Sequence, residues 1–528
     1  MQSPTARSPT CTVKRPEMPK RVVAPRRRAL ALILLGFGCS VALARSPGGV
    51  VNTRGWPAFR RFWEAAIDPD LSSAFVRITV EAAQVTLGFA MLGTLLSLVL
   101  GAVGALVLSE LTVERAGARR LFAAALVVPR AVHEIVWALL LIQVLGFDPM
   151  VAVLAIGIPF GAITAKVFAE TLDEAPRAPY LRLRAIGAGR LQALTYGTLP
   201  VVRSELVSYA FYRLECAIRS AAVLGVIGAG GLGFQLDLSF ESLRYREIWT
   251  LIFALMVLSG LADSWSSRVR RSTESTVRNR SLVAIAVLVP LSWWWADMGS
   301  SQLLSTRTVR RSVELVGDLI PPRLGPGGWG ELLESTADTV AMSIIAILIA
   351  VVVGLLLGLV AARPRALRPD PLGVLFRIVL LLFRSVPPVV WAFLVVLVVR
   401  PGIWPGAIAL AVYNVGVLGR LFAEVFEDRD DTSARRLRSI GATRLQAAMH
   451  ASVPETAPRI VSLGLYRWEV VVSESVMVGV VGAGALGQLM NEHLAARDLA
   501  AVMGVVVALI LVALVIDDTS ARLRRVLR

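Results

Sequence analysis

The chain has 528 residues, 55% of them hydrophobic, and a mean hydropathy of +0.67. Charge is gathered between long apolar runs, a pattern that excludes a large soluble core and marks a membrane protein. The net charge of +17 invites a nucleic-acid reading, but with the amino terminus inside most Arg and Lys fall on the cytoplasmic side of those runs, as topology requires, and no nucleic-acid partner is expected.

Residues 1–28 form a basic arm with few acids, containing Lys14, Arg15, Lys20, Arg21, Arg26, Arg27 and Arg28, expected to be disordered near anionic lipid. Apolar runs of spanning length follow near 29–44, 81–108, 120–145, 150–168, 205–227 and 247–265, then near 281–296, 336–361, 372–399, 403–423, 459–481 and 499–516. The first run could pass for a signal peptide ending in Ala42-Leu43-Ala44. Its counterpart at Ser281 to Trp295 lies in mid-chain, so both are read as membrane helices. The expectation is an all-α polytopic protein of about twelve spans in two six-helix halves, 29–268 and 269–528.

The halves repeat at an offset of 254. GVIGAGGLG from Gly225 returns as GVVGAGALG from Gly479, Trp137-Ala138 as Trp391-Ala392, and Arg213 and Glu215 as Arg467 and Glu469. A period this long is a duplicated domain rather than a solenoid repeat. The glycine string satisfies G-x-G-x-x-G at Gly228, Gly230 and Gly233, yet it follows an apolar span instead of a strand, so it is read as a close-packing or helix-breaking element, not a dinucleotide site. Cys11, Cys39 and Cys216 have no metal or disulfide spacing, and no cofactor is expected.

Between the fourth and fifth span of each half lies an amphipathic stretch, YLRLRAIGAGRLQAL from Tyr180 and ARRLRSIGATRLQAA from Ala434. Apolar residues at helical spacing are interrupted by Gly187 or Gly441, which suggests a short helix, a turn and a second short helix. Taken alone, such a stretch also suits a loop pinned to lipid headgroups.

Each of these glycines is followed thirteen positions later by Pro200 or Pro454. That spacing resembles the cytoplasmic EAA loop of ABC importer permeases, although the family's Glu and first Ala are Leu181 and Arg182 here, and Arg435 and Arg436 in the second half. YRLECAIRSAAVLGVIGAGGLG from Tyr212 and YRWEVVVSESVMVGVVGAGALG from Tyr466, with the Trp-Ala helices after Pro129 and Phe383, look like phosphonate-type permeases. A tandem fusion of two such permeases is implied. The resemblance further implies two copies of an ATPase docked on the loops through Arg182, Gly187, Arg190, Pro200, Arg436, Gly441, Arg444 and Pro454, and a soluble binding protein outside.

Charges inside the spans mark the expected path. Arg130 and its mate Arg384 fall near mid-bilayer, where a charge costs about 2.5 to 3.5 kcal/mol on insertion scales and faces a bundle interior or an aqueous route. Arg213, Glu215 and Arg219, with Arg467, Glu469 and Glu474, form a second mated set, and His133 and Glu134 lie nearby. Residues i and i+2 do not face each other on a helix, so Arg213 is expected to pair not with Glu215 but across helices, with Glu134. Structural ion pairs and contact with an anionic solute both remain open at this point. The chain has no GxxxxGK[ST] loop and no catalytic constellation. The reading is therefore a non-enzymatic permease for phosphonate or a related phosphorus oxyanion, powered by a partner. A permease for methionine or a quaternary amine, and an ion-coupled secondary transporter, are the alternatives.

Overall fold

The structure is a computed structural model that describes residues 35–44, 49–271, 275–301, 303, 305–362, 371–428, 432–480, 482 and 484–527. It is helical throughout, apart from one isolated antiparallel bridge between Val51 and Val399. The basic arm and the first six residues of the first expected span lie outside the described residues.

In the first half, α1 (35–43) and the amphipathic α2 (Trp56–Glu64) precede α3 (Ser73–Leu108). Ser72 caps α3 by accepting from the Phe75 amide. A bent pair follows, from α4 (Ala116–Ala125) and α5 (Val127–Ala131) into α6 (Glu134–Leu145), and then α7 (Met150–Glu174). The loop helices α8 (Arg177–Ala185) and α9 (Arg190–Ala193) lead to α10 (Leu199–Leu224), α11 (Gly231–Glu241) and α12 (Tyr245–Arg271).

The second half opens with α13 (Ser275–Trp295) and an amphipathic α14 (Thr306–Leu319). It continues through α15 (Gly328–Ala361), the pair α16 (Pro371–Ser385) and α17 (Pro388–Val398), and α18 (Ile403–Asp428). Its loop helices are α19 (Thr432–Ser439) and α20 (Arg444–Ala447), followed by α21 (Val453–Val480), α22 (Ala485–Ala495) and α23 (Leu499–Leu527).

The repeat is visible in bonding as well as in order. The buried Thr86 hydroxyl accepts the Leu232 amide at 2.9 Å, and the buried Thr339 hydroxyl accepts the Leu486 amide at 3.0 Å. In each half this ties the helix after the glycine string to the first long span.

Among the described residues six helices (α3, α7, α12, α15, α18 and α23) are long and apolar enough to cross a membrane, and four bent pairs raise the number to as many as 10. That range falls short of the twelve expected. The helix at 281–296 is not among the candidates, because α13 begins in the polar stretch containing Arg278 and Arg280, which lowers the hydropathy of every spanning-length stretch of it.

The expected single spans at 120–145 and 372–399 are corrected by the structure, since each is broken, by 86° and 95°. In the second half Pro387 and Pro388 remove two amides and disfavour helix at the residue before them. In the first half the chain turns extended at Val132 and His133, and the His133 ring caps α6 by accepting the Ile135 amide at 3.3 Å. The glycine strings likewise break their helices. A Cβ on Gly225 would lie 2.6 Å from the Gly230 carbonyl oxygen, and one on Gly479 2.8 Å from that of Gly484.

Helices α15 and α18 approach closely where a Cβ on Gly358 would lie 2.7 Å from the Gly419 carbonyl oxygen. Backbone cannot yield there as a side chain can. Gly358→Val should therefore cost about 1–3 kcal/mol by overpacking, whereas Gly299→Ala, with nothing within 4 Å of the new Cβ, should stay within about 0.5 kcal/mol. Thermal melting of the purified protein checks both.

Candidate functional site

A cavity of about 680 Å³ lies where the two halves meet. Its walls come from α5, α7, α10 and α12 of the first half and from α16, α18, α21 and α23 of the second, with both broken-helix junctions opening onto it. All eight residues expected along a path line this one space: Arg130, His133, Glu134, Arg213, Glu215, Arg384, Arg467 and Glu469.

The charges pair across the halves. Arg384, 6% exposed, donates from Nη1 to Glu215 at 3.1 Å and from Nη2 to Asp263 at 3.1 Å. Asp263 also bonds Arg420, which reaches Glu424 at 3.1 Å. Glu215 and Asp263 stand on α10 and α12, Arg384 and Arg420 on α16 and α18, so the network crosses from one half to the other. Arg219 shares Glu215 at 3.7 Å. In the second half Arg467 bonds Glu474 and the Asn414 Oδ1, and Asn414 donates back to Glu474 at 3.2 Å. Glu469 is taken by Arg524 at 2.7 Å.

Arg213 does not pair with Glu134, which corrects that expectation. Its Nε donates to the Tyr209 hydroxyl at 2.7 Å, one helical turn back, and its guanidinium lies 4.8 Å from the centre of the Phe160 ring. Glu134 instead accepts from Ser220 at 2.6 Å and has His133 Nε2 3.3 Å from its other oxygen. Because His133 Nδ1 accepts an amide, the neutral ring carries its proton on Nε2, the nitrogen nearer Glu134. Arg213 and Glu215 do not pair with each other, in keeping with their spacing. Arg130 has no ion pair among the described residues.

The sequence reading missed Asp263, Arg420, Asn414 and Arg524. The 254 offset reveals which residues are equivalent but not which are neighbours, and most of these neighbours lie on other helices. Tyr209 was within reach of sequence reasoning, since i and i+4 share a helix face.

Both loops fold as short helix, turn and short helix. Gly187 and Gly441 make the turns at φ +92° and +96°, where a Cβ would be strained. Gly189 and Thr443, equivalent residues, each donate the backbone amide to a Gln side chain, Gln192 at 2.8 Å and Gln446 at 2.9 Å. The apolar face divides. Leu194 is buried, while Ile186 and Ile440 at the turns are each 80% exposed. Arg182 and Arg436 are exposed, and Pro200 and Pro454 open α10 and α21. Arg190 faces inward, bonded to Glu114 and to the Thr112 carbonyl at 3.3 Å, so it anchors the loop to the protein body. The Arg444 side chain lies outside the described residues.

Two homologous helical halves closing on one charged cavity define a multi-pass membrane transport subunit. The chain belongs to the family of binding-protein-dependent transport system inner membrane components, whose model matches residues 93–274 and again 354–527. It is thus a non-catalytic translocation subunit of an ABC-type importer in the inner membrane. It is 26% identical over 459 residues to the phosphate-import permease protein PhnE of Mycolicibacterium smegmatis, covering 83% of this chain and 84% of that one. The phosphite transport system permease protein PtxC of Stutzerimonas stutzeri is 31% identical over 246 residues, 46% of this chain and 86% of its own. The putative cryptic phosphonate transport system permease protein PhnE2 of Escherichia coli is 34% identical over 118 residues, 22% of this chain and 97% of its own.

Removing one member of a buried pair strands the other at about 3–5 kcal/mol. Arg467→Met should therefore lower the melting temperature sharply by leaving Glu474 uncompensated, and adding Glu474→Gln should restore much of the loss. Melting curves of the single and double variants, compared as a cycle, check this.

Proposed function

We propose that this permease carries a phosphorus oxyanion (phosphate, phosphite or a phosphonate) through the cavity between its halves. The observation that carries the reading is the set of arginines lining that cavity, in a chain whose relatives are named as phosphate, phosphite and phosphonate permeases. Arginine suits such an anion because its planar fork presents paired N–H donors to two oxygens.

The partners we infer are two copies of an ATPase, one beneath each loop, and an extracytoplasmic binding protein. Support for the ATPase sites comes from the exposed turn residues Ile186 and Ile440, which present matching apolar tips on the two loops. The charge distribution supports a cytoplasmic amino terminus. Twelve spans in halves 29–268 and 269–528 follow if α1 and α13 also cross, with residues 1–28 as a basic arm at the lipid surface.

Under this reading, ATP binding closes the two ATPases on each other, the loops transmit the movement, and the cavity opens alternately to the two sides. The chain's own residues supply the lining and the coupling contacts.

Proteoliposomes holding this chain with two ATPase copies, together with the binding protein, should take up phosphate, phosphite or methylphosphonate only when ATP is present. Uptake without ATP would assign the chain to ion-coupled transport, and uptake of methionine or a quaternary amine instead would overturn the oxyanion assignment.

The loops give a separate test. Gly187→Val and Gly441→Val force a β-branched residue to positive φ, so each should reduce uptake while ATP hydrolysis continues. Full coupling in both variants at normal membrane abundance would reduce the loops to lipid anchors.

A further inference from the structure

The four central arginines are equivalent in pairs by sequence but not in bonding. Arg384 and Arg467 are compensated by carboxylates: Glu215 and Asp263 for the first, Glu474 for the second. Arg130 and Arg213 have none among the described residues. The counterparts of Arg384's partners would be Glu469 and Asp517, but Glu469 is bonded to Arg524 at 2.7 Å, and no ion pair joins Arg130 to either among the described residues.

Around Arg213 the difference lies in the sequence itself. Subtracting 254, Glu474 becomes Ser220 and Asn414 becomes Phe160, so both oxygen acceptors of Arg467 are replaced. Arg213 is only 7% exposed, its Nε is spent on Tyr209, and the rings of Phe160, Tyr209 and Tyr212 lie 4.8, 5.1 and 6.0 Å from its guanidinium. Ser220, standing where Glu474 would, bonds Glu134, whose second oxygen faces His133. The acid of this half is thereby turned away from Arg213. Among the described residues the Arg213 Nη atoms have no hydrogen-bond partner, and they are reached from the cavity, so an anion entering there gains charge-assisted bonds from them.

We propose that the transported oxyanion is held asymmetrically, by Arg130 and Arg213 of the first half, while Arg384 and Arg467 hold the helices together and make no contact with it. This rests on the oxyanion reading above. It deepens that reading by confining the ligand to one wall of a cavity built from two equivalent halves. The Arg213 Nη edge, with Nε fixed and rings against the guanidinium, presents donors to two oxygens of a tetrahedral anion.

The test uses the full complex in proteoliposomes, with the oxyanion that the unaltered protein takes up, and melting curves on the same preparations. Arg130→Met and Arg213→Met should lower maximal uptake about tenfold or more, since each removes a charge-assisted hydrogen bond. The half-saturating concentration, set by the binding protein, and the melting temperature should hold. Arg384→Met and Arg467→Met should instead lower the melting temperature.

A second variant copies the other half's chemistry. Ser220→Glu with Glu134→Gln gives Arg213 the acid that Arg467 has, and should abolish uptake with the melting temperature kept or raised. Normal uptake in this double variant or in Arg213→Met would overturn the proposal. So would a melting loss in Arg213→Met equal to that of Arg467→Met, or equal uptake losses in all four arginine variants without melting changes, which would mean a symmetric site. If the unaltered complex takes up no phosphorus oxyanion, the substrate reading itself fails, an outcome distinct from all of these.

Discussion

Charge is costly within a hydrocarbon slab, and along the seam between its halves this protein meets that constraint by pairing charges from one half to the other. Arg384 and Arg420 on one side, with Glu215 and Asp263 on the other, join α16 and α18 to α10 and α12. The helices that bear these residues also wall the cavity. Any movement that opens the cavity along this seam must therefore separate buried charges or let water replace each partner. An aqueous cavity makes the second course available, because hydration lowers the cost of parting an ion pair from its buried value toward that of an exposed one.

The broken helices serve the same centre. Helix α6 begins at Glu134 beside the cavity, so an acid stands where the helix dipole favours negative charge. Its counterpart α17 begins at Pro388 after Pro387, and neither proline offers an amide. The two junctions are alike in bend but differ in what their backbones can donate.

Much of this was legible in the sequence. The 254 offset revealed the duplication, apolar run length placed the long helices, and Gly187 and Gly441 marked turns that the structure shows at positive φ. All eight expected path residues line one cavity because mid-span charge is tolerated in few other places. What was not legible is who faces whom. Arg384's acids lie 169 and 121 residues away in the chain, and no periodicity reports a contact between helices of different halves. Glu134 was expected to pair with Arg213 because the partner had to lie on another helix, whereas Ser220 and His133 lie against it instead. The breaks at Val132–His133 and Pro387–Pro388 were hidden for a related reason: an apolar run reports length through the membrane, not straightness.

The joining of the halves in one chain has its own consequence. Two identical subunits about a twofold axis display every residue twice, so an acid that satisfies one arginine satisfies its copy as well. Here Ser220 and Glu474 are encoded separately, as are Phe160 and Asn414. A single substitution can therefore alter one wall of the cavity while the opposite wall keeps the folding energy of both, leaving recognition and cohesion free to be inherited independently.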